Sequence, residues 1–348
     1  MIEMAVFMSR NKLKGANLFL SDEKLQLITG QIFVGQGVLV AYELGLFKLI
    51  SKTPSSIQEI AKKLDLGERA AQAIIACAGA LGFVEHRKGL YLLSKLGKTY
   101  LDEKKPGSYG KVLDLLIKQN QIMNYESVKK AILLEHALIN KGKGLFKSSK
   151  DLGTSKDFID SLHYKAFKPA FFWPKLVDLK ENEKFVDIGG GSGIHTIAAC
   201  LHWSKLAGIV CDRPSVISFT KEYVKNFGLK NRIRLVGLDM WKDPFPKGDV
   251  YFFGDVFHDW SKEKCSFLAR KSFQSLPENG KIILHEMLFN KKKTGPFLTA
   301  AYNLKMMIWT EGQQFSRSEI LDLLQKVGFK KIEIKKSLGN WSLVVGTK

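Results

Sequence analysis

The chain has 348 residues, 45% of them hydrophobic, enough for two domains with sizeable cores. Its four cysteines, Cys77, Cys200, Cys211 and Cys265, lack C-x-x-C spacing, which argues against a disulfide framework or a zinc site and for a reducing, cytoplasmic setting. The net charge of +20 comes from lysines spread along the whole chain, so it reads as a solvated basic surface and nucleic acid is not the expected partner.

Residues 1–15 mix apolar and basic types without a continuous apolar core, so no signal peptide is expected. Residues 25–42 form the longest uncharged run, borderline in length for a bilayer span. Gly30, Gly35 and Gly37 break it and Gln26, Gln31 and Gln36 punctuate it, so a buried segment of a soluble protein is expected, with no membrane partner. The helical pattern continues to residue 50 with a break near Gly45. A helix over 56–64 follows Pro54-Ser55-Ser56, and a second over 68–81 ends at Gly82. Residues 83–86 and 90–93 read as strands around the turn Arg87-Lys88-Gly89. Helix, helix and hairpin is the order of a winged helix. A DNA reader would present polar side chains from its second helix. Here that helix is small and apolar with Arg69 as its cation, so burial against its own domain or a second subunit is expected.

Pro106 and Gly107 mark a connector that divides a first domain, 1–105, from a second, 106–348. Helices are expected over 111–140 and 156–178. From Lys184 on, strands (185–188, 207–211, 232–236, 249–253, 280–285) alternate with helices (194–203, 214–227, 261–276, 297–310, 316–327). A pair of strands, 330–335 and 341–345, ends the chain. This alternation predicts an α/β fold, a Rossmann-like parallel sheet covered on both faces and carrying an antiparallel C-terminal hairpin.

The chemistry concentrates at the carboxyl ends of these strands. Strand 185–188 runs into Gly189-Gly190-Gly191-Ser192-Gly193, where glycines let a ligand approach the main chain. The spacing is G-x-G-x-G, not the dinucleotide G-x-G-x-x-G, and Asp187 places negative charge where a pyrophosphate would lie. A cationic ligand with a nucleoside part, such as S-adenosylmethionine, suits the loop better. Asp212 ends the second strand, positioned for ribose hydroxyls or, alternatively, to cap the helix at Pro214. Asp239 and Met240 follow the third strand, placed for an adenine amino group and ring face. His258 lies just past the fourth strand and can take a proton near neutral pH. Glu286 lies at the end of the fifth, able to orient that imidazole or to stand as a solvated loop carboxylate. Tyr302, Met306 and Trp309 recur at helical spacing, either as core or as an acceptor wall, with Phe257 nearby and Lys305 on the neighbouring face for an acidic group. No metal-ligand cluster is apparent.

The succession V-D-I-G-G-G-S-G, C-D-R-P-S-V at 211–216, L-D-M-W at 238–241, H-D-W-S at 258–261, I-I-L-H-E at 282–286 and T-E-G-Q at 310–313 resembles the S-adenosylmethionine-dependent small-molecule O-methyltransferases, including the caffeic acid and acetylserotonin enzymes. The resemblance covers nearly the whole chain. It implies a class I methyltransferase domain and an N-terminal winged-helix dimerisation domain that includes Glu43-Leu44-Gly45-Leu46-Phe47. It carries the cofactor glycines to Gly189 and Gly191, the ribose carboxylate to Asp212 and the adenine pair to Asp239 and Met240. The general base falls on His258, followed by Asp259 and Trp260, and its supporting glutamate on Glu286. The implied reaction is transfer of a methyl group to a hydroxyl, phenolic by expectation, of a small aromatic molecule, by a homodimer and without a metal. Three positions depart from the pattern. Plant members carry a glutamate where this chain has Gln314 and a lysine where it has Gly254; Asp255, grouped with the cofactor residues, replaces an arginine of the acetylserotonin branch. These departures leave open a cofactor-binding relative that hydroxylates or decarboxylates instead.

Overall fold

The computed structural model describes residues 21–140, 144–146, 153 and 155–348; the sequence reading of residues 1–15 falls outside these. The chain divides between Asp102 and Glu103 into two compact units.

The first unit holds α1 (Glu23–Glu43), α2 (Leu46–Lys52), α3 (Ile57–Lys63), α4 (Glu68–Ala80), the hairpin β1 (Val84–Arg87) and β2 (Leu90–Leu93), and α5 (Lys95–Tyr100). Gly45, at φ 83°, makes the turn from α1 to α2 that an L side chain resists. A capping box starts α3: the Ser56 hydroxyl accepts the Glu59 N–H and the Glu59 carboxylate accepts the Ser56 N–H. Helix α4 buries Ala71, Ile74, Ile75 and Ala78 within its own unit, as its composition requires. It meets α1 at Gly37, where a Cβ would lie 2.6 Å from the Cys77 sulfur. The expected burial of residues 25–42 does not hold within this unit. Leu25, Ile28, Ile32 and Phe33 are all exposed, and only Val38 and Ala41 of α1 are buried. By length and composition α1 is also the one described helix able to cross a membrane.

The second unit begins with α6 (Gly110–Lys118), α7 (Tyr125–Leu134) and α8 (Lys156–Phe172). Five parallel strands follow: β3 (Lys184–Ile188), β4 (Ala207–Asp212), β5 (Ile233–Gly237), β6 (Val250–Gly254) and β7 (Lys281–Met287). The helices between and after them are α9 (Ile194–His202), α10 (Pro214–Asn226), α11 (Lys262–Ser275), α12 (Phe297–Trp309) and α13 (Arg317–Val327). The terminal strands β8 (Lys330–Lys336) and β9 (Trp341–Thr347) join antiparallel, giving the order β5-β4-β3-β6-β7-β9-β8. Strand β6 reads Val-Tyr-Phe-Phe because both of its faces are covered, and its first four residues are buried. Edge strand β8 presents exposed lysines at 330, 331, 335 and 336, which discourage pairing with another sheet and account for part of the basic charge. Strand order reverses between β3 and β6. In open α/β sheets that switch point opens a crevice at the carboxyl ends of the strands, where ligands bind.

Candidate active site

The glycine loop leaves β3 with Gly189 at φ 70° and Gly191 at φ 55°. Gly189 needs its freedom twice over, because a Cβ there would press to 3.0 Å on Val256. The loop amides are already engaged. The N–H groups of Gly189 and Gly190 donate to the Cys211 carbonyl, that of Gly193 to the Gly190 carbonyl, and that of Gly191 to Asp212 Oδ2 at 2.8 Å. A phosphate-binding loop points such amides at its ligand. This loop instead binds its own chain, which fits a nucleoside with a positive centre and not a pyrophosphate. Asp187, named at sequence level for its charge, is buried beneath the loop, where desolvation raises its pKa to about 7 against the hydrogen bond from Thr196.

A cavity of about 1340 Å³ opens from this loop along the sheet edge. It exceeds the roughly 300–1,000 Å³ of ordinary small-ligand clefts, so it has room for two ligands side by side. Gly189, Gly191, Asp212, Asp239, Met240 and Asp255 all line it. Asp212 also accepts the Arg213 N–H at 2.7 Å, and burial raises its pKa despite these two backbone donors. Asp239 is fixed by the Trp241 N–H at 2.9 Å. Asp255 stands at φ 54°, with Oδ1 accepting from the Trp341 indole at 3.0 Å and Oδ2 3.4 Å from Lys165 Nζ. Burial would raise its pKa, but Lys165, His258 and His285 outweigh burial and hold it at about 2. Gly254 has no room for a side chain, since a Cβ would lie 2.9 Å from the rings of His195 and Phe252. The cation near this corner therefore comes from α8, as Lys165.

His258 sits on a short 3-10 turn, Phe257–Asp259, and is 3% exposed. Its Nδ1 lies 2.6 Å from Glu286 Oε2. Strand β7 runs two residues further than the sequence suggests, so Glu286 is a buried strand residue, not a loop carboxylate. Its other oxygen, Oε1, accepts the backbone N–H groups of Val256 at 3.0 Å and Phe257 at 2.8 Å. The strand thus grips both the turn and the ring it carries. His258 Nε2 is 3.7 Å from Asp259 Oδ1. Burial would lower the imidazole pKa; the carboxylates of Glu286 and Asp259 override it and raise the pKa to about 10. Asp259 is pushed up to about 7, by burial first and by its acidic neighbours against His258. Gly312, the glycine of T-E-G-Q, packs flat behind this turn: a Cβ there would lie 2.1 Å from the His258 carbonyl oxygen.

The opposite wall is α12. Tyr302, Met306 and Trp309 all line the cavity, so the helical stripe faces a ligand space. The Tyr302 ring lies edge-on to His258 at 5.5 Å, and its hydroxyl accepts from Lys165 Nζ at 2.8 Å. Two expected acceptor residues stand elsewhere. Phe257 is fully buried against Phe253, and Gln314 is fully buried with its backbone N–H on Asn303; neither reaches the cavity wall. Residues that the sequence reading missed are Lys165 on α8, Trp341 on β9 and Gln119 after α6. None sits in a motif, and they join the site through contacts spanning up to 137 residues. The fold also brings Asp255, His258 and Glu286 together with ligand-type atoms within 4.8 Å, a cluster the sequence did not suggest. Asp255 is already engaged by Lys165 and Trp341, and Glu286 by two backbone amides and by His258.

The switch-point crevice, the self-satisfied glycine loop and the carboxylates at successive strand ends together define a class I methyltransferase fold. Residues 173–330 match the O-methyltransferase domain family. The chain is 25% identical over 328 residues to the 3-hydroxy-5-methyl-1-naphthoate 3-O-methyltransferase of Streptomyces sahachiroi, covering 92% of this chain and 94% of that protein. It is 26% identical over 338 residues to the acetylserotonin O-methyltransferase of Gallus gallus, covering 90% and 94%. The crystal structure of human N-acetylserotonin methyltransferase in complex with SAM superposes with a TM-score of 0.79 at 22% identity, covering 96% of this chain and 99% of that one. Residues 173–330 thus form an O-methyltransferase domain, and over 90–92% of its length the chain is similar to O-methyltransferases.

Proposed function

We propose that this enzyme methylates a hydroxyl, phenolic in character, on a small aromatic molecule, with His258 as the general base. When bound, S-adenosylmethionine supplies a methyl group already activated on a sulfonium centre. Gly189 and Gly191 let it approach the main chain, Asp212 receives ribose hydroxyls, Asp239 and Met240 hold the adenine, and Asp255 closes that side of the site. Alignment of donor and acceptor is the main contribution, and effective molarities make it worth several orders of magnitude.

The observation that carries the base assignment is the Glu286 carboxylate. One oxygen is fixed by two backbone N–H groups and the other faces His258 Nδ1, so Nε2 is the nitrogen left for the cavity. A phenol ionises near pH 10 and is neutral at pH 7. His258 Nε2 takes its proton as the oxygen attacks, and Glu286 and Asp259 stabilise the imidazolium. With a ligand-free pKa of about 10, His258 begins protonated at neutral pH. It would lose that proton to solvent through the open cavity as the donor's positive charge enters beside it, since like charges disfavour one another. Tyr302, Met306 and Trp309 line one face of the acceptor ring, while Phe257 and Gln314 support the turn and α12 from behind. The relatives named above, which act on a hydroxynaphthoate and on acetylserotonin, favour a flat aromatic acceptor. Incubation with labelled S-adenosylmethionine and a panel of phenols tests the reading. His258→Ala should retain cofactor binding and lose most turnover; sustained turnover would remove His258 as the base.

The first unit is the proposed homodimer contact, in a cytoplasmic enzyme. Leu25, Ile28 and Ile32 follow helical spacing, and with Phe33 they leave α1 with an apolar face too large for an isolated soluble unit. Light scattering on the purified protein should give twice the chain mass, and Ile28→Lys with Ile32→Lys should halve it.

A further inference from the structure

The wall around Trp309 carries two polar groups that the methyl-transfer reading does not use. Of the lysines lining the cavity, Lys165 pairs with Asp255, Lys242 with Asp239 and Lys264 with Glu311. Lys305 has no carboxylate partner among the described residues, and its Nζ lies 4.5 Å over the Trp309 ring. Burial lowers its pKa and the Lys165 charge adds to that, against the weaker opposing pull of Tyr302 and of the Asp259 carboxylate, neither of which pairs with it directly. The second group is Gln119. It is 2% exposed, lines the same cavity, and neither its Oε1 nor its Nε2 has a hydrogen-bond partner. Its backbone carbonyl accepts the Met123 N–H at 3.0 Å, and the Met123 sulfur accepts the Trp309 indole N–H at 3.2 Å. Lys305 thus lies over the Trp309 ring, and Gln119 lines the same cavity one helical turn before the methionine that accepts from that indole. Buried amides and unneutralised ammonium groups are costly unless something satisfies them.

We propose that this corner is an anion subsite and that the natural acceptor is a hydroxylated aromatic acid, its acidic group held by Lys305 and the Gln119 amide. The inference rests on the hydroxyl-methylation reading and adds the substrate class. The Tyr302 ring lies 5.5 Å from the His258 ring and 5.5 Å from Lys305 Nζ. The hydroxyl and the acidic group therefore lie within the span of one or two fused rings. A carboxylate there restores the ammonium's counter-charge and accepts from the amide, whereas a neutral isostere leaves the charge uncompensated.

The test is calorimetric binding of 6-hydroxy-2-naphthoate and of its uncharged carboxamide to the full chain, with S-adenosylhomocysteine present so that no reaction occurs. The wild type should prefer the acid by at least about tenfold, the scale of one hydrogen bond to a charged group. Lys305→Met should bring that ratio close to one, Lys305→Arg should keep most of it, and Gln119→Leu should reduce it. Equal binding of the two probes, no binding of the acid at millimolar concentration, or an unchanged ratio in Lys305→Met overturns the inference; an unchanged ratio in Gln119→Leu removes Gln119 from it. Turnover is read separately: an acid preference in binding with no label transferred to either probe would strike the methylation reading and leave the subsite standing.

Discussion

Replacing Glu286 by Gln tests the chemistry while leaving most of the packing alone. The amide oxygen can still accept from Val256 and Phe257, but an NH2 group then faces His258 Nδ1 at 2.6 Å. Two donors cannot share that contact, so neutral imidazole must present Nδ1 as acceptor and carry its proton on Nε2. That is the wrong tautomer for a base, and a comparable tautomer trap in the serine-protease triad lowers kcat by about 10⁴. The charge change has its own magnitude. A carboxylate about 4 Å from the imidazolium centre is worth about 4 kcal/mol at an effective dielectric of about 20, or roughly three powers of ten in the protonation equilibrium. His258, held at about 10 because Glu286 and Asp259 outweigh burial, should therefore titrate well below that value in the variant. The assay is kcat and kcat/KM against pH with labelled methyl donor, beside calorimetry with S-adenosylhomocysteine. Turnover should fall by about 10³–10⁴, the ascending limb of the pH profile should move to lower pH, and cofactor-product affinity should stay within about threefold. A loss below tenfold, or a limb that does not move, would refute the proposed roles of both residues.

Three further outcomes follow from the same geometry. His258 binds protons more tightly folded than unfolded, so its contribution to stability is complete below pH 6.5 and is lost as pH rises through about 10. Thermal melting of the ligand-free protein should accordingly decline from pH 7 to pH 10, by roughly 2–4 °C per kcal/mol lost, and His258→Gln should flatten that decline. In Gly312→Ala the new methyl would lie 2.1 Å from the His258 carbonyl; overpacking of this kind costs about 1–3 kcal/mol. A shifted base with nearly normal cofactor-product binding should appear as lost kcat in steady-state kinetics. Lys165→Met leaves the buried Asp255 carboxylate without its cation, a break worth about 3–5 kcal/mol in other proteins. Urea titration should show most of that loss, and adding Asp255→Asn should recover a substantial part; strict additivity of the two changes would rule out the pairing.

Much of this fold is local enough to read in one dimension. The alternation from Lys184 onward, the glycines that need positive φ and the turn signals at Gly45 and Gly82 depend on neighbouring residues, and the elements lie within a few residues of their expected places. The carboxyl-end residues were legible for a related reason: each follows its strand directly, and a parallel sheet gathers those ends along one edge. Asp212, Asp239, His258 and Glu286 therefore reach one crevice even though sequence says nothing of their distances.

What the tertiary structure alone decided are the contacts made across the chain. Lys165 was an ordinary helical lysine until folding set it against Asp255 and Tyr302, 90 and 137 residues away. The burial of Glu286, the exposure of α1 and the exclusion of Phe257 and Gln314 from the cavity wall all depend on which face another element covers. Periodicity marks a face but not its partner. The sequence by itself determined a methyl-donor fold and the order of its strand-end residues, because those follow from local backbone preference and parallel topology. The raised pKa of His258, the unpartnered Gln119 amide and the place of Lys305 over Trp309 were decided by packing, because burial and the distance between charges exist only once the chain is folded.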